Sequence, residues 1–390
     1  MATTSLLKAR KPRGFQDRLD RQVAEEERLV AAIAGVYERW GFARLETPAI
    51  EYTDALGKYL PDVDRPNEGV FAFKDDDAQW VSLRYDLTAP LARFVAENWN
   101  DLPRPFRRWQ AGPVWRNEKP GPGRYRQFTQ CDADSVGVPG VAADAEIVMM
   151  AAEAIEAAGI ARGEYAFKIN TRRLLNGLLD LAAGGEAMAA QRTAVLRAID
   201  KLDRLGPGGV VELLGRGRKD ESGDFTSGAG LDAAAIDRVM AFLKSGAATR
   251  RETLRNLEAA LKGSAEGEAG IADLAAIADI LDRCGVDDAR AAFDPSIVRG
   301  LDYYTGPVFE AHLKVSSAET GKPIDFGSVG GGGRYDDLVA RFRGEAVPAT
   351  GFSFGVSRLL AALDAAGRTG GGDAPGPVVV LAFEKDRMAD

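Results

Sequence analysis

Apolar positions mark out the first element before any composition is counted. Leu29, Val30, Ile33, Val36, Tyr37 and Trp40 recur at steps of three and four, which predicts an amphipathic helix from Asp20 to Trp40, stopped by Gly41. FARLETPAIEY then reads as extended, because Pro48 keeps Thr47 out of the helical region. VSLRYDLT at 81–88 is a short strand running into a turn. FRRWQAGPVWRN and RYRQFTQCDADSVG are two extended segments on either side of Pro120, Gly121, Pro122 and Gly123, the pattern of a β-hairpin. AADAEIVMMAAEAIEAAG is a helix, and EYAFKIN a further strand.

After residue 171 the pattern changes. VLRAIDKLDRL, LDAAAIDRVMAFL and IADLAAIADILDRCG carry helical periodicity, and GRGRKDESGDFTSGAG reads as a loop between helices. Strand character returns in IVRGLDYYTGPVFEAHL and GSVGGGGRYDDLV, and GFSFGVSRLLAALDAAG reads as strand into helix. GRTGGGDAPGP is a flexible linker by composition, and VVVLAF is the first strand of a further domain whose remainder is missing. The expected class is α+β, with a mostly antiparallel sheet flanked by helices and interrupted by a helical insertion. The expected divisions are 1–171 and 291–366 for two parts of one core, 172–290 for the insertion, and 367–390 for the linker and truncated domain.

Composition narrows the chemistry. With 45% hydrophobic residues the 390-residue chain can bury a core. It has no apolar run of about 18 residues and no signal-peptide core, so a cytoplasmic protein without a membrane span is expected. Cys131 and Cys284 form no C-x-x-C pair and read as reduced thiols, and His312, the only histidine, reads as structural or surface. GPGRYR lacks the third glycine of a dinucleotide fingerprint, and no phosphate-binding P-loop sequence occurs.

Charge then singles out the hairpin. The chain has 50 Lys and Arg against 58 Asp and Glu, a net charge of −8. Yet Arg104, Arg107, Arg108, Arg116, Lys119, Arg124 and Arg126 face only Glu118 between residues 104 and 126. Strand alternation puts Arg124, Arg126, Phe128, Gln130, Asp132 and Asp134 on one face. That row suits a ligand with phosphates, a flat ring and a hydrogen-bonding end, since arginine grips phosphate oxygens with paired N–H groups. It suits equally a solvated face with cross-strand ion pairs.

The remaining segments supply a resemblance. PRGFQD at 12–17, ETP at 46–48, WRNEKPGPGRYRQF at 115–128, RGLDYYTG at 299–306, GGGRYDDL at 331–338 and GFSFGVSRL at 351–359 resemble the class II aminoacyl-tRNA synthetases, and as a set the histidyl-tRNA synthetase family. The resemblance implies activation of L-histidine by ATP, with magnesium accompanying the nucleotide, and transfer to the 3′ end of tRNA(His). It also implies a homodimer built through the first helix. Carried over by position, Arg116 resembles the α-phosphate arginine and Arg299 the second catalytic arginine, which also meets histidine. Arg358 would hold the far end of ATP. Glu118, Arg124 and Arg126 would serve the phosphates and hairpin loop, and Phe128 would stack on adenine. Asp86, Thr88 and Gln130 would take the α-amino group, and Asp134, Tyr303 and Tyr304 the imidazole side. Gly330 to Gly333 would let backbone approach the amino acid, and Ser357 stands where the family often has an acidic residue. A second family member class fits the length: the histidine-sensing regulatory subunit of ATP phosphoribosyltransferase, against which the retention of Arg116, Arg299 and Arg358 counts. An RNA-binding module without catalysis is the third alternative.

Overall fold

In the computed structural model residues 7–59, 69–121, 125–182, 188–219, 223–298, 300, 304–324 and 326–369 are described. The linker and final strand expected after residue 369 lie outside them, as do Arg124, Arg299 and Tyr303.

Helix α1 (Asp20–Arg39) forms where the apolar stripe required it and buries Leu29, Ile33, Val36 and Tyr37. Short strands β1 (Ala43–Arg44) and β2 (Ile50–Tyr52), a 3-10 turn (Thr53–Tyr59), β3 (Ala72–Lys74) and β4 (Trp80–Leu83) lead to α2 (Thr88–Asn98). The long hairpin follows as β5 (Phe106–Trp115) and β6 (Gln127–Val136), paired antiparallel from Phe106 opposite Val136 to Trp115 opposite Gln127. Then come α3 (Ala142–Ala157), β7 (Tyr165–Thr171) and six helices: α4 (Arg172–Ala182), α5 (Met188–Ile199), α6 (Leu202–Leu214), α7 (Ala233–Leu243), α8 (Arg250–Ala260) and α9 (Ala265–Arg283). Between α6 and α7 run β8 (Gly217–Lys219) and β9 (Phe225–Ser227). The chain returns through β10 (Ala291–Phe293), β11 (Pro307–Leu313), β12 (Val315–Ser316), β13 (Pro323–Ile324), β14 (Ser328–Arg334), α10 (Ala340–Arg343), β15 (Ala349–Gly355) and α11 (Val356–Ala365).

Eight strands form the central sheet in the order β1-β5-β6-β15-β14-β11-β7-β10. Only the end pairs, β1 with β5 and β7 with β10, are parallel, so the sheet is mostly antiparallel as the hairpin pattern implied. Helices α1 and α3 cover one face. Helix α3 is buried along Ile147, Val148, Met150, Ala151 and Ile155, side chains worth about 1.5–3 kcal/mol for each large one removed from water. The same apolar cluster runs on through Phe167 and Phe352 of the sheet into Leu174, Val210, Val239 and Ile277 of the later helices. Among the described residues no helix is long and apolar enough to cross a membrane.

Two local expectations need correction. VLRAIDKLDRL is not one helix: it breaks at Asp200–Lys201 between α5 and α6, and α6 kinks again where Gly206 takes φ 68° before Pro207, which has no N–H to donate. The stretch read as a loop at 215–230 contains the β8–β9 ladder, with Gly217 opposite Ser227 and Lys219 opposite Phe225.

Candidate active site

A cavity of about 480 Å³ opens over β6, β14 and β15, at the end of the sheet where the hairpin and two helix heads converge. Its size falls in the range of small-molecule sites. The first helix head is that of α2: Asp86 Oδ1 accepts from the backbone amides of Thr88 at 3.1 Å and Ala89 at 2.9 Å, which fixes the carboxylate at the rim. Burial pushes the Asp86 carboxyl up, against the pull of the Ala89 amide and Arg116. The second head is that of α11, which contributes Ser357 and Arg358; Arg358 Nη1 donates to Ser328 O at 2.7 Å.

Arg116 sits just beyond β5. Its backbone N–H donates to Arg126 O at 2.9 Å, its Nε donates to Tyr85 O at 3.1 Å, and its guanidinium lies 5.1 Å from the Phe128 ring centre. One neighbour orients the cation through a carbonyl and the other through a ring face, leaving it aimed along the cavity wall. Phe128, Gln130 and Asp132, alternate residues of β6, line the floor. Tyr304, Gly330 and Ser353 close the opposite side.

Beneath this floor lies a second layer that the cavity does not reach. Arg108 is fully buried and pairs with Asp134 at 2.7 Å, while its Nη2 donates to Leu87 O at 2.9 Å. The Tyr335 hydroxyl donates to Asp134 Oδ1. Burial pushes the Asp134 carboxyl up, and Arg108 and Tyr335 pull it back. Above Asp134 the backbone of Gly351 passes so close that a Cβ there would stand 2.0 Å from Asp134 Oδ1, so only glycine fits. Arg334 is likewise internal, held by Asp144 at 2.7 Å and by Gly140 O at 2.6 Å.

The model of the family described as "Histidyl-tRNA synthetase" matches residues 14–359. The chain belongs to the histidyl-tRNA synthetase family. It is 60% identical over 384 residues to the histidine–tRNA ligase of Caulobacter vibrioides, an alignment covering 98% of this chain and 77% of the relative. The corresponding protein of Methylocella silvestris is 58% identical over 391 residues, covering 99% and 78%. Among solved structures, the histidyl-tRNA synthetase of Nostoc sp. PCC 7120 superposes with a TM-score of 0.75 at 29% identity, covering 94% of this chain and 77% of that one. A Bacillus halodurans C protein titled an ATP phosphoribosyltransferase regulatory subunit/histidyl-tRNA synthetase superposes with a TM-score of 0.72 at 25% identity, covering 92% and 84%.

Against the family pattern, the fold brings Asp86, Thr88, Arg116, Glu118, Phe128, Gln130, Tyr304 and Arg358 to one cavity. Arg126 is outside its lining: its Nε donates to Glu118 O at 3.0 Å and its stem packs on Gly14, so it braces the hairpin loop. Asp134 is outside too, for the reason just given. Gly330, Gly331 and Gly332 line the cavity, and Gly332 also packs strand on strand, since a Cβ there would lie 2.1 Å from Gly351 O. Two residues at the site were not anticipated as such. Asp132 shared the face read from alternation but had no role. Glu26 reaches in from α1: its carboxylate accepts from Thr129 Oγ1 at 2.6 Å and Ser357 Oγ at 3.2 Å, and it pairs with Arg18. Ser357 Oγ in turn accepts from Thr129 N at 3.1 Å. A carboxylate from another element thus stands beside Ser357. The legible signal was a glutamate lying on the buried stripe of α1, three residues before Leu29.

Proposed function

We infer that this cavity activates L-histidine with ATP and passes it to the 3′ end of tRNA(His), the chain acting as a histidine–tRNA ligase. The observation that carries the reading is that one cavity is lined both by the cations Arg116 and Arg358 and by the acceptors of Asp86, Gln130 and Asp132. Family membership at 58–60% identity to curated histidine–tRNA ligases supports it, and the regulatory-subunit reading has less support.

In the first step a carboxylate oxygen of histidine attacks the α-phosphorus and pyrophosphate leaves. Both partners are anionic, so a placed cation lowers their repulsion and stabilises charge growing in line. Arg116 is the residue for this, pre-oriented by Tyr85 O and Phe128, and Arg299 is its second. Arg358 takes the distal phosphates, and Phe128 the adenine. Glu118, Arg124 and Arg126 belong to the hairpin tip that meets phosphates and the tRNA end. Asp86, Thr88, Gln130, Tyr303 and Tyr304 surround the amino acid. In the second step the terminal ribose hydroxyl of tRNA attacks the carbonyl and AMP leaves.

Magnesium enters with ATP. The helices of 172–290 act as an insertion beside the core, and the protein works as a homodimer in the cytoplasm. The exposed apolar side chains of Ile50, Tyr52 and Phe73, which the strand register puts on one face, support the dimer. The reading is tested by exchange of labelled pyrophosphate into ATP: histidine dependence is expected, and its absence in folded protein overturns the assignment.

A further inference from the structure

The stretch that brings Tyr304 to the cavity is fastened on both sides to one short piece of chain, the end of β7 and the first residue of α4. Before it, the chain leaves β10 at Phe293 and turns through 294–298. Asn170 of β7, 1% exposed, holds this turn: its Nδ2 donates to Ile297 O at 2.8 Å and to Pro295 O at 3.2 Å, while its Oδ1 accepts from Thr171 N at 2.8 Å. Two carbonyls face the amide nitrogen, which fixes the orientation of the side chain. Lys168, two residues back on the same face of β7, pairs with Asp294 at 3.0 Å. Asp294 Oδ1 accepts in turn from Ser296 N at 3.0 Å and Ser296 Oγ at 2.6 Å. On the far side, Arg172 N donates to Gly306 O at 2.9 Å and Thr305 N to Arg334 O at 2.8 Å. Neither Asn170 nor Lys168 lines the cavity.

The seat between these anchors is narrow. Tyr304 N donates back to Gly300 O at 3.1 Å, and both residues line the cavity. A Cβ on Gly300, which has φ 62°, would stand 2.2 Å from Tyr304 Cδ2, and one on Gly333 would stand 2.9 Å from Tyr304 Cδ1. The ring therefore lies against glycine backbone at two places, and a chain arriving from a shifted turn has no room to keep it there. Arg299 is the residue that follows Val298, itself 2% exposed. Resting on the reading that Arg299 serves the reaction at the α-phosphate, we propose that Asn170 is a positioning residue for that reaction. It touches no substrate and acts by setting the turn from which Arg299 and Tyr304 are delivered to the cavity. Without its amide the buried carbonyls of Pro295 and Ile297 are left unpaired, and the turn loses what holds it to β7. A misplacement of about 1 Å that starts far from the chemistry can cost on the order of 10²-fold in rate.

The test is histidine-dependent pyrophosphate exchange by the wild-type protein, Asn170→Ala, Arg299→Ala and the double variant. Asn170→Ala is expected to lower the exchange rate at saturating substrates roughly 10- to 100-fold and to leave the KM for ATP within about twofold, since Arg358 is held by Ser328 O and not by this turn. In the Arg299→Ala background the same substitution is expected to cost less than about threefold, because a residue that acts through another then has nothing left to act on. Lys168→Met frees Asp294 from a partly exposed partner. It is expected to lower the rate roughly 3- to 10-fold with the same loss of effect in the Arg299→Ala background, and it decides the matter if Asn170→Ala does not fold. Losses that multiply in full with Arg299→Ala, or that come with an equal rise in the KM for ATP, mark a purely structural contact and overturn the proposal, as does an Asn170→Ala protein exchanging at the wild-type rate. Exchange within about tenfold of wild type in Arg299→Ala alone would instead sink the reading of Arg299 on which the proposal rests.

Discussion

Replacing Asp134 by alanine separates the two roles open to that carboxylate. Its partner Arg108 has no exposed surface, and Asp134 itself is 2% exposed. Removing one member of a buried ion pair strands the other charge, at about 3–5 kcal/mol. The Tyr335 hydroxyl loses its acceptor as well, a term of about 1–3 kcal/mol that overlaps the first because the vacated space admits water. We expect a loss of about 4 kcal/mol, a large fraction of the 5–15 kcal/mol typical of a folded chain. At about 2–4 °C per kcal/mol for a large domain, the melting temperature should fall by roughly 8–16 °C. Calorimetric melting and the urea midpoint measure it. The double variant Arg108→Met with Asp134→Leu should recover most of the loss, because it removes the stranded charge. A melting temperature within about 2 °C of wild type, combined with a histidine KM raised tenfold or more, would refute the reasoning and return Asp134 to the substrate.

Arg116→Ala should lower the exchange rate by roughly 10²–10³, the effect of removing one charge-stabilising donor, while costing at most about 2 kcal/mol of stability for its carbonyl and ring contacts; exchange surviving within tenfold would contradict its role. Asp132→Asn carries a pH signature in stability. An unfolded aspartate titrates near 3.9 and Asp132 in the fold near 8, so between those values the native state holds the extra proton and stability falls as pH rises. The melting temperature of Asp132→Asn relative to wild type should therefore be level near pH 4, climb up to pH 8 and then flatten; a difference independent of pH would show Asp132 ionised throughout. Glu26→Ala should raise the KM for ATP roughly tenfold with little change for histidine, because Thr129 and Ser357 lose the carboxylate that ties β6 to the head of α11, and Glu26→Gln should restore part of it; equal effects of the two variants on ATP and histidine would mark a purely structural contact.

Period and turn chemistry made most of the fold legible. The α1 stripe and the β5–β6 hairpin were readable because each element's burial is written in its own alternation. Alternation also placed Phe128, Gln130 and Asp132 on the cavity face correctly. Asp134 takes the same side of β6 but is absent from the cavity lining, because a strand's period tells which side a residue takes, not what covers that side. Arg108 from β5, Tyr335 from after β14 and Gly351 from β15 roof that carboxylate, and they lie far apart in sequence. The same limit hid Glu26, whose partners Thr129 and Ser357 stand more than 100 residues away. The β8–β9 ladder was missed because its Gly-, Ser- and charge-rich strands carry a loop's composition.

The central claim, a cavity that joins histidine to the α-phosphate of ATP, is tested most directly by rapid mixing of the protein with both substrates and no tRNA. The account predicts a burst of pyrophosphate of about one per active chain that requires histidine, followed by slow turnover. No burst with histidine, or an equal burst without it, would contradict it.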